Sequence, residues 1–529
     1  VKKTPPAGPV SAAAAVAHRR FLYATAATTG AAILIVEILG AKMLAPYLGT
    51  SHFVWTAQIA VTLVALASGY YAGGRLADHA PHPRRLYGGI LAAALYLAGS
   101  VLIVEPVAYW CLRFKLALGS LLASLFLFFV PLSLLAMVCP FLVRVMTESL
   151  AGVGSNVGRL TAISTLGSVG GTVLIGYVLI PFLPNPLTMY LTAAVLLAVA
   201  VLHFLVFDRQ PGHRSWLVVL TGLFLLCGAG LLRLEQLAQA QGGVQRLRRN
   251  SNFGLLQVLD DESGRRRLYL NDYLVQNTYD PVRKQSRSMF TYLLHELARA
   301  YTPRIDRALC IGLGVGIVPM HFVRDGAAVD VVEINPAVPP IAKEFFDCEL
   351  ERLHVALTDG RYFLNQAAPA AYDTIILDAF LGDSSPVHLF TQEAFAAMRR
   401  ALTPQGTVVI NCFGDFTAGK DFFVASLEKT LREGAGFPSV RIHAAGSGNV
   451  FFVASPQPQL TLRRQPDFND AHPACREQAR LAFATLQHTN PEHGVVLTDA
   501  FNPLEYYDAV NRETYRRQYA LGFRALRGH

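Results

Sequence analysis

The first 235 residues contain seven nearly uncharged apolar stretches, at 21–45, 53–74, 86–107, 116–139, 157–181, 186–207 and 215–233. Each is long enough to cross the roughly 30 Å of bilayer hydrocarbon as a helix, a form that satisfies every backbone N–H and C=O internally. An N-terminal multi-span α-helical membrane domain is therefore expected over 1–235. Composition agrees: 52% of the 529 residues are hydrophobic and only 16% charged, too apolar for an ordinary soluble enzyme. A cleavable signal peptide is not expected, because the first run starts some twenty residues in and further runs follow it. Glu37 lies inside the first span, where an ionisable group is costly and is a functional candidate by default. Pairing with Lys42 or a neighbouring helix is the simpler role for it.

The pattern changes at "EQLAQAQGGVQRLRRNS", near 235–250. A linker and β-hairpin subdomain is expected over 236–280, from "FGLLQVLDD" and "RRLYLNDYLVQN" around the turn residues "ESG". A helix is expected at 284–301. Strand-like runs then alternate with helical patterns: "RALCIGLG", "AAVDVVEIN", "LHVALTD", "YDTIILDAF" and "QGTVVINCF". That alternation predicts a C-terminal α/β Rossmann-like domain over 281–529 with a parallel sheet. Such sheets bind ligands at the carboxyl ends of their strands, so the polar residues there are the site candidates.

The first strand runs into "LCIGLGVGIVP", where Gly312, Gly314 and Gly316 form a loop suited to an adenosine group. Glu333 ends the second strand seventeen residues after Gly316, near the spacing at which an acid accepts hydrogen bonds from both ribose hydroxyls. Asp359 in "LTDGRYF" is placed to accept from an adenine amino group, and Asp378 in "IILDAF" to face the reacting end. Each acid alone is as well explained as the cap of the next helix. Together with the glycine loop they favour a site. Asp499 and Glu505, in "LTDAFNPLEYY", are candidates to fold back over it, against the alternative of a surface turn; His295 reads as a packed helix histidine before a substrate contact.

Seven cysteines are scattered without a C-x-x-C pair, so neither a disulfide framework nor a metal site is expected. The net charge of +9 sits in membrane loops and short mixed runs without interleaved aromatics, which argues against nucleic acid.

The stretch from about Ser251 to Gly414 resembles the spermidine synthase family, the polyamine aminopropyltransferases, in "SNFGLLQV", "GLGVG", "VVEIN", "TDGRYF" and "YDTIILDAF". The N-terminal half is similar to bacterial members fused to a membrane domain, in "EILGAKMLAPYLG", "SGYYAGGRLAD" and "STLGSVGGTVLIGYVLIP". The resemblance implies a methyltransferase-like fold that holds decarboxylated S-adenosylmethionine while an amine attacks the carbon beside the sulfonium, releasing 5′-methylthioadenosine. It implies that Glu333 binds the ribose, Asp359 and Gly360 the adenine, Gln276 a ribose hydroxyl, and that Asp378 is the catalytic acid/base.

Three departures bear on the substrate. Val315 stands where the family's G-G-G-D-G loop has an acid. Asp378-Ala379-Phe380-Leu381 stands where the family has D-S-x-D, with Asp383 near but out of register. Met289-Phe290-Thr291 precedes His295 where the family has Y-H-E. A site so depleted of negative charge suits a polycation poorly, and valine at 315 removes a repulsion of roughly several kcal/mol toward the carboxylate of intact S-adenosylmethionine.

The expected function is an integral membrane transferase that binds S-adenosylmethionine or its decarboxylated form and moves an aminopropyl-type group to a nucleophile. The alternatives are a cyclase, lyase or methyltransferase of the same fold that consumes intact S-adenosylmethionine, and a non-catalytic transporter or sensor with an adenosyl-binding domain. The expected partners are a small-molecule amine or the ligand's own nucleophile and the lipid bilayer, with room left for a homodimer. Lys2, Lys3, Arg19, Arg20, Arg75, Arg84, Arg85, Arg144, Arg209 and Arg214 fall on the side of the N-terminus, making that side cytoplasmic. Seven spans would then put the C-terminal half outside. An adenosyl cofactor is available in the cytoplasm, so an inner-membrane protein with a cytoplasmic catalytic domain is expected, either through a span missed within 114–147 or against the charge rule.

Overall fold

The computed structural model describes residues 12–49, 51–147, 152–208, 213–241, 243–272, 274–380, 386–445 and 448–507. The chain divides into two compact units, Val1–Ala238 and Gln239–His529.

In the first unit, seven helices among the described residues are long and apolar enough to cross a membrane: Val16–Leu48, His52–His79, Pro83–Cys111, Leu116–Met146, Val153–Phe182, Asn185–Val206 and Ser215–Leu234. The run Leu116–Met146 is of single-span length and is interrupted by one wide turn, Leu125–Phe129, and a break at Met137. A similar wide turn, Ile175–Leu179, interrupts Val153–Phe182. Both wide turns lead into a proline, Pro131 and Pro181, whose missing N–H and ring clash loosen the preceding turn. Gly167 and Gly171 let their helix lie directly on the first one, since a Cβ at either would overlap the backbone of Ala27 or Ala31.

The second unit opens with a five-stranded antiparallel sheet: β1 (Val244–Ser251), β2 (Gly254–Asp260), β3 (Arg267–Asn271), β4 (Leu274–Asp280) and β5 (Gln285–Ser286). The expected hairpin is its β2–β3 pair. β1 lies in the Gln- and Arg-rich stretch that the sequence presents as a linker, and Gln285–Ser286 pairs with β4, so the helix expected from 284 starts at Met289 and runs to Tyr301.

An eight-stranded sheet follows: β6 (Arg307–Ile311), β7 (Ala328–Glu333), β8 (His354–Leu357), β9 (Tyr372–Leu377), β10 (Leu402–Gly414), β11 (Ser439–His443), β12 (Gly448–Ser455) and β13 (Leu486–Gln487). Their spatial order is β13-β11-β12-β10-β9-β6-β7-β8. β8, β7, β6, β9 and β10 are parallel, as the alternating pattern predicts, and β12, β11 and β13 extend the sheet antiparallel. The parallel strands are covered on both faces, which is why they read as continuous apolar runs. Cys310, Val331, Ile376 and Val409 pack toward Leu293 and Leu297, whereas Ile311, Val332, Leu377 and Ile410 pack into a second core with Phe395 and Phe423.

The chain runs from β6 to β7 and β8 on one side and from β9 to β10 on the other. The order therefore reverses between β6 and β9, and a crevice opens at the carboxyl ends of strands that part in this way.

Candidate active site

Gly312 follows β6 and Asp378 follows β9, so the two sit at that reversal. The N–H of Asp378 donates to the carbonyl of Ile311 at 3.0 Å, and the N–H of Gly312 to that of Val332 at 2.8 Å. Gly312 has φ +99°, and a Cβ there would overlap the carbonyl oxygen of Asp378. Glycine is thus what lets the loop pass beside the acid. Gly316, at φ +82°, begins the helix Ile317–Arg324, and a Cβ there would overlap the Cys348 thiol. Gly314 also has positive φ, at +54°.

A cavity of about 560 Å³ occupies the crevice. Gly312, Gly314, Glu333, Asp359, Gly360, Asp378 and Gln276 all line it; Gly316 supports the loop without lining it. Its walls come from the ends of β6, β7, β9 and β10, from β3 and β4 of the smaller sheet, and from the turn Arg287–Thr291 that starts the helix Met289–Tyr301.

Each carboxylate of the cavity is tied into the backbone or to an amide. Glu333 is buried, and its two oxygens accept separately from the N–H of Leu313 at 3.1 Å and of Asn335 at 2.8 Å. Burial raises its pKa, against the pull of those donors. The Ile334 N–H also favours the charged form, and the carboxylate keeps acceptor capacity for a further donor. Asp359 caps the helix Gly360–Gln366, accepting from the N–H groups of Arg361 and Tyr362, while its second oxygen lies 2.9 Å from Nε2 of His388. Burial works upward on Asp359, but the Tyr362 N–H, His388 and the Arg361 N–H together hold it below the ordinary carboxylate range. Asp359 both caps that helix and lines the cavity.

Asp378 is held by amides. Nδ2 of Asn411, on β10, donates to its Oδ1 at 2.8 Å, and Nδ2 of Asn449, on β12, donates to Oδ1 of Asn411 at 2.9 Å. Burial pushes the Asp378 carboxyl up to about 6, the Asn411 donor opposing it. Asn411, Asn449 and His388 all line the cavity and were missed from the sequence. Asn411 carried the same signal as Asp378, a polar residue at the carboxyl end of a parallel strand, and went unnoticed because it bears no charge.

The remaining candidates fall elsewhere. His295 does not line the cavity: its Nε2 lies 2.9 Å from Asp325 and its ring stacks on His321 with centroids 5.1 Å apart, as a packed helix histidine does. Asp499 does fold back, but onto the outer side, accepting from Thr391 at 2.7 Å and from Arg361 at 3.0 Å. Glu505 is half-buried, and neither Asp499 nor Glu505 is among the residues that line the cavity. Asp383 lies outside the described residues. No group of three or more metal-ligating side chains occurs among the described residues.

No family model matches the sequence. The chain is similar to curated proteins over parts of its length. A polyamine aminopropyltransferase of Vibrio vulnificus is 35% identical over 138 residues, 25% of this chain and 46% of that protein. Another from Chromobacterium violaceum is 28% identical over 225 residues, 40% of this chain and 81% of that one. The chain is related to the spermidine synthase family. An N-terminal histidine N-methyltransferase of Emericella nidulans is 32% identical over 191 residues, 32% of this chain and 34% of that protein. This chain spans about a third of the length of the N-methyltransferase and about half of that of the Vibrio vulnificus aminopropyltransferase.

Proposed function

We propose that this chain is an integral membrane transferase that binds S-adenosylmethionine or its decarboxylated form and transfers the aminopropyl-type group to an amine, releasing 5′-methylthioadenosine. The observation that carries this is Asp378: a carboxyl raised to about 6, set at the strand reversal beside the glycine loop and oriented by Asn411. A pure binding site has no need of an acid there.

In this reading Glu333 takes the ribose hydroxyls, with the glycine loop and Gln276 beside it, and Asp359 with Gly360 meets the adenine. The acceptor amine attacks the methylene next to the sulfonium. A C–N bond forms, the C–S bond breaks, and the electron pair stays on sulfur, which departs as a neutral thioether and needs no acid. A free alkylamine has a pKa near 10.4, so at neutral pH it must give up a proton to attack. Asp378 accepts that proton and points the lone pair at the carbon. The similarity to polyamine aminopropyltransferases supports this chemistry.

A second reading, methyl transfer or internal displacement within intact S-adenosylmethionine, is favoured by Val315. It lines the cavity, 3% exposed, where the family's loop has an acid. The similarity to an N-methyltransferase supports it too. Release of methylthioadenosine by detergent-purified protein, with each donor and with or without a diamine, separates the readings. Methyl transfer would yield S-adenosylhomocysteine instead.

The seven long apolar helices support anchorage in a bilayer. We place the catalytic unit on the cytoplasmic side, where the adenosyl donor is made, against the count of charged loops. Protease protection of the C-terminal unit in sealed inverted vesicles would contradict that side.

A further inference from the structure

The cavity holds cations as well as acids. Arg287 and Arg266 both line it. Arg266 is exposed, whereas Arg287 is partly buried in the turn that leads into the helix Met289–Tyr301. The backbone of Arg287 is fixed, its N–H donating to Thr278 at 2.7 Å. Its guanidinium has no hydrogen-bond or ion-pair partner among the described residues. Other arginines of the same unit are engaged: Arg267 and Arg246 on Asp260, Arg299 on Glu296 and Asp325, Arg361 on Asp499.

The acids that line the same space are already occupied by donors. Glu333 receives two backbone N–H groups, Asp359 two more and a histidine, and Asp378 the Asn411 amide. Val315 adds no charge from the glycine loop. The cavity thus offers a carboxylate an unpaired, forked donor and offers a second ammonium group little. A guanidinium matches a carboxylate in two parallel hydrogen bonds, and a partly buried one gains more from that pairing than an exposed one.

We infer that Arg287 binds the carboxylate of intact S-adenosylmethionine, so that the donor is the amino acid itself and the group transferred retains its carboxylate. The inference rests on the adenosyl-site reading above and narrows it from two donors to one. Arg287 is then a specificity-determining residue, set in the wall that the smaller sheet and the first helical turn build over the crevice.

The test is a binding titration of the detergent-purified full chain with three ligands: intact S-adenosylmethionine, its decarboxylated form, and methylthioadenosine, which lacks the amino-acid arm. The wild type should prefer the intact form over the decarboxylated one. Arg287→Gln should weaken the intact form about ten- to a hundredfold, the range expected for a charged hydrogen-bonded contact, and leave methylthioadenosine within about twofold. Unchanged methylthioadenosine affinity also reports that the variant is folded. Arg287→Glu should reverse the preference. Equal affinities for the two donors in the wild type, or equal losses for all three ligands in Arg287→Gln, would overturn the inference while leaving the adenosyl site intact. Failure of the wild type to bind methylthioadenosine would remove the adenosyl reading and this inference together.

Discussion

Asp378→Asn separates catalysis from binding and from folding in a single variant. The amide preserves the shape of the carboxyl and an oxygen for the Nδ2 of Asn411, now 2.8 Å from Oδ1, so the Asn449–Asn411 chain keeps its terminus. The base is lost. General-base assistance is worth roughly 10²–10⁴-fold, and methylthioadenosine release should fall by that amount while nucleoside affinity changes by less than about threefold. The wild type should show the acid's own signature. With Asp378 raised to about 6, about nine-tenths of it is ionised at pH 7 and about one-tenth at pH 5, so kcat should drop nearly tenfold between them.

Stability should move the other way. A carboxyl whose folded pKa lies above its unfolded one favours the native state only when protonated, so its cost is absent below about pH 4 and complete above about pH 6. The rise from 3.8 to about 6 corresponds to about 3 kcal/mol, reduced to about 1–2 because the acid borders an open, water-accessible cavity. Asp378→Asn should therefore melt at or above the wild-type temperature at pH 7, and the difference should vanish near pH 4. A variant that melts lower would refute the raised pKa of Asp378; loss of nucleoside binding in step with turnover, or turnover within a few-fold of wild type, would refute its role as base.

Asn411→Ala removes the donor that favours ionised Asp378, so the acid limb of the pH–rate profile should move to higher pH, with a smaller shift in the same direction for Asn449→Ala. Glu333→Gln supplies one acceptor oxygen where Leu313 and Asn335 use two, leaving a buried N–H against an amide NH₂ at a cost of about 1–3 kcal/mol; titration should show methylthioadenosine affinity falling at least about tenfold. Gly312→Ala puts a Cβ against the Asp378 carbonyl at a φ of +99°, and a loss of about 2–4 kcal/mol in chemical denaturation is expected, together with loss of turnover.

The parallel core was legible because strands buried on both faces write themselves as apolar runs, and because a polar residue ending such a run has one place to be. That reasoning located Gly312, Glu333, Asp359 and Asp378, and the cavity gathers all of them. It did not reach β11–β13, whose pairing is non-local: Asn449 is brought to Asn411 by the antiparallel register of β10 with β12, where Phe413 faces Asn449, and no local pattern announces a partner 38 residues away. It also overvalued charge. Asp499 was singled out as an acid and lies on the outer side of Arg361, whereas two neutral amides do the electrostatic work beside Asp378.

The distinction bears on how the site functions. An acid buried in an apolar crevice with no donor would stay protonated at neutral pH and serve poorly as a base. A lysine or arginine in contact with it would lower its pKa so far that it would hold an amine's proton weakly. An amide donor lies between these limits: it stabilises the carboxylate enough for ionisation near pH 6 without adding a positive charge that would repel an approaching ammonium. The unpaired guanidinium of Arg287 belongs to the same division of labour only if its charge is neutralised by the bound ligand, because a free cation in this cavity would oppose a cationic sulfonium and a cationic acceptor alike. A donor that carries its own carboxylate meets that condition, and a decarboxylated one does not.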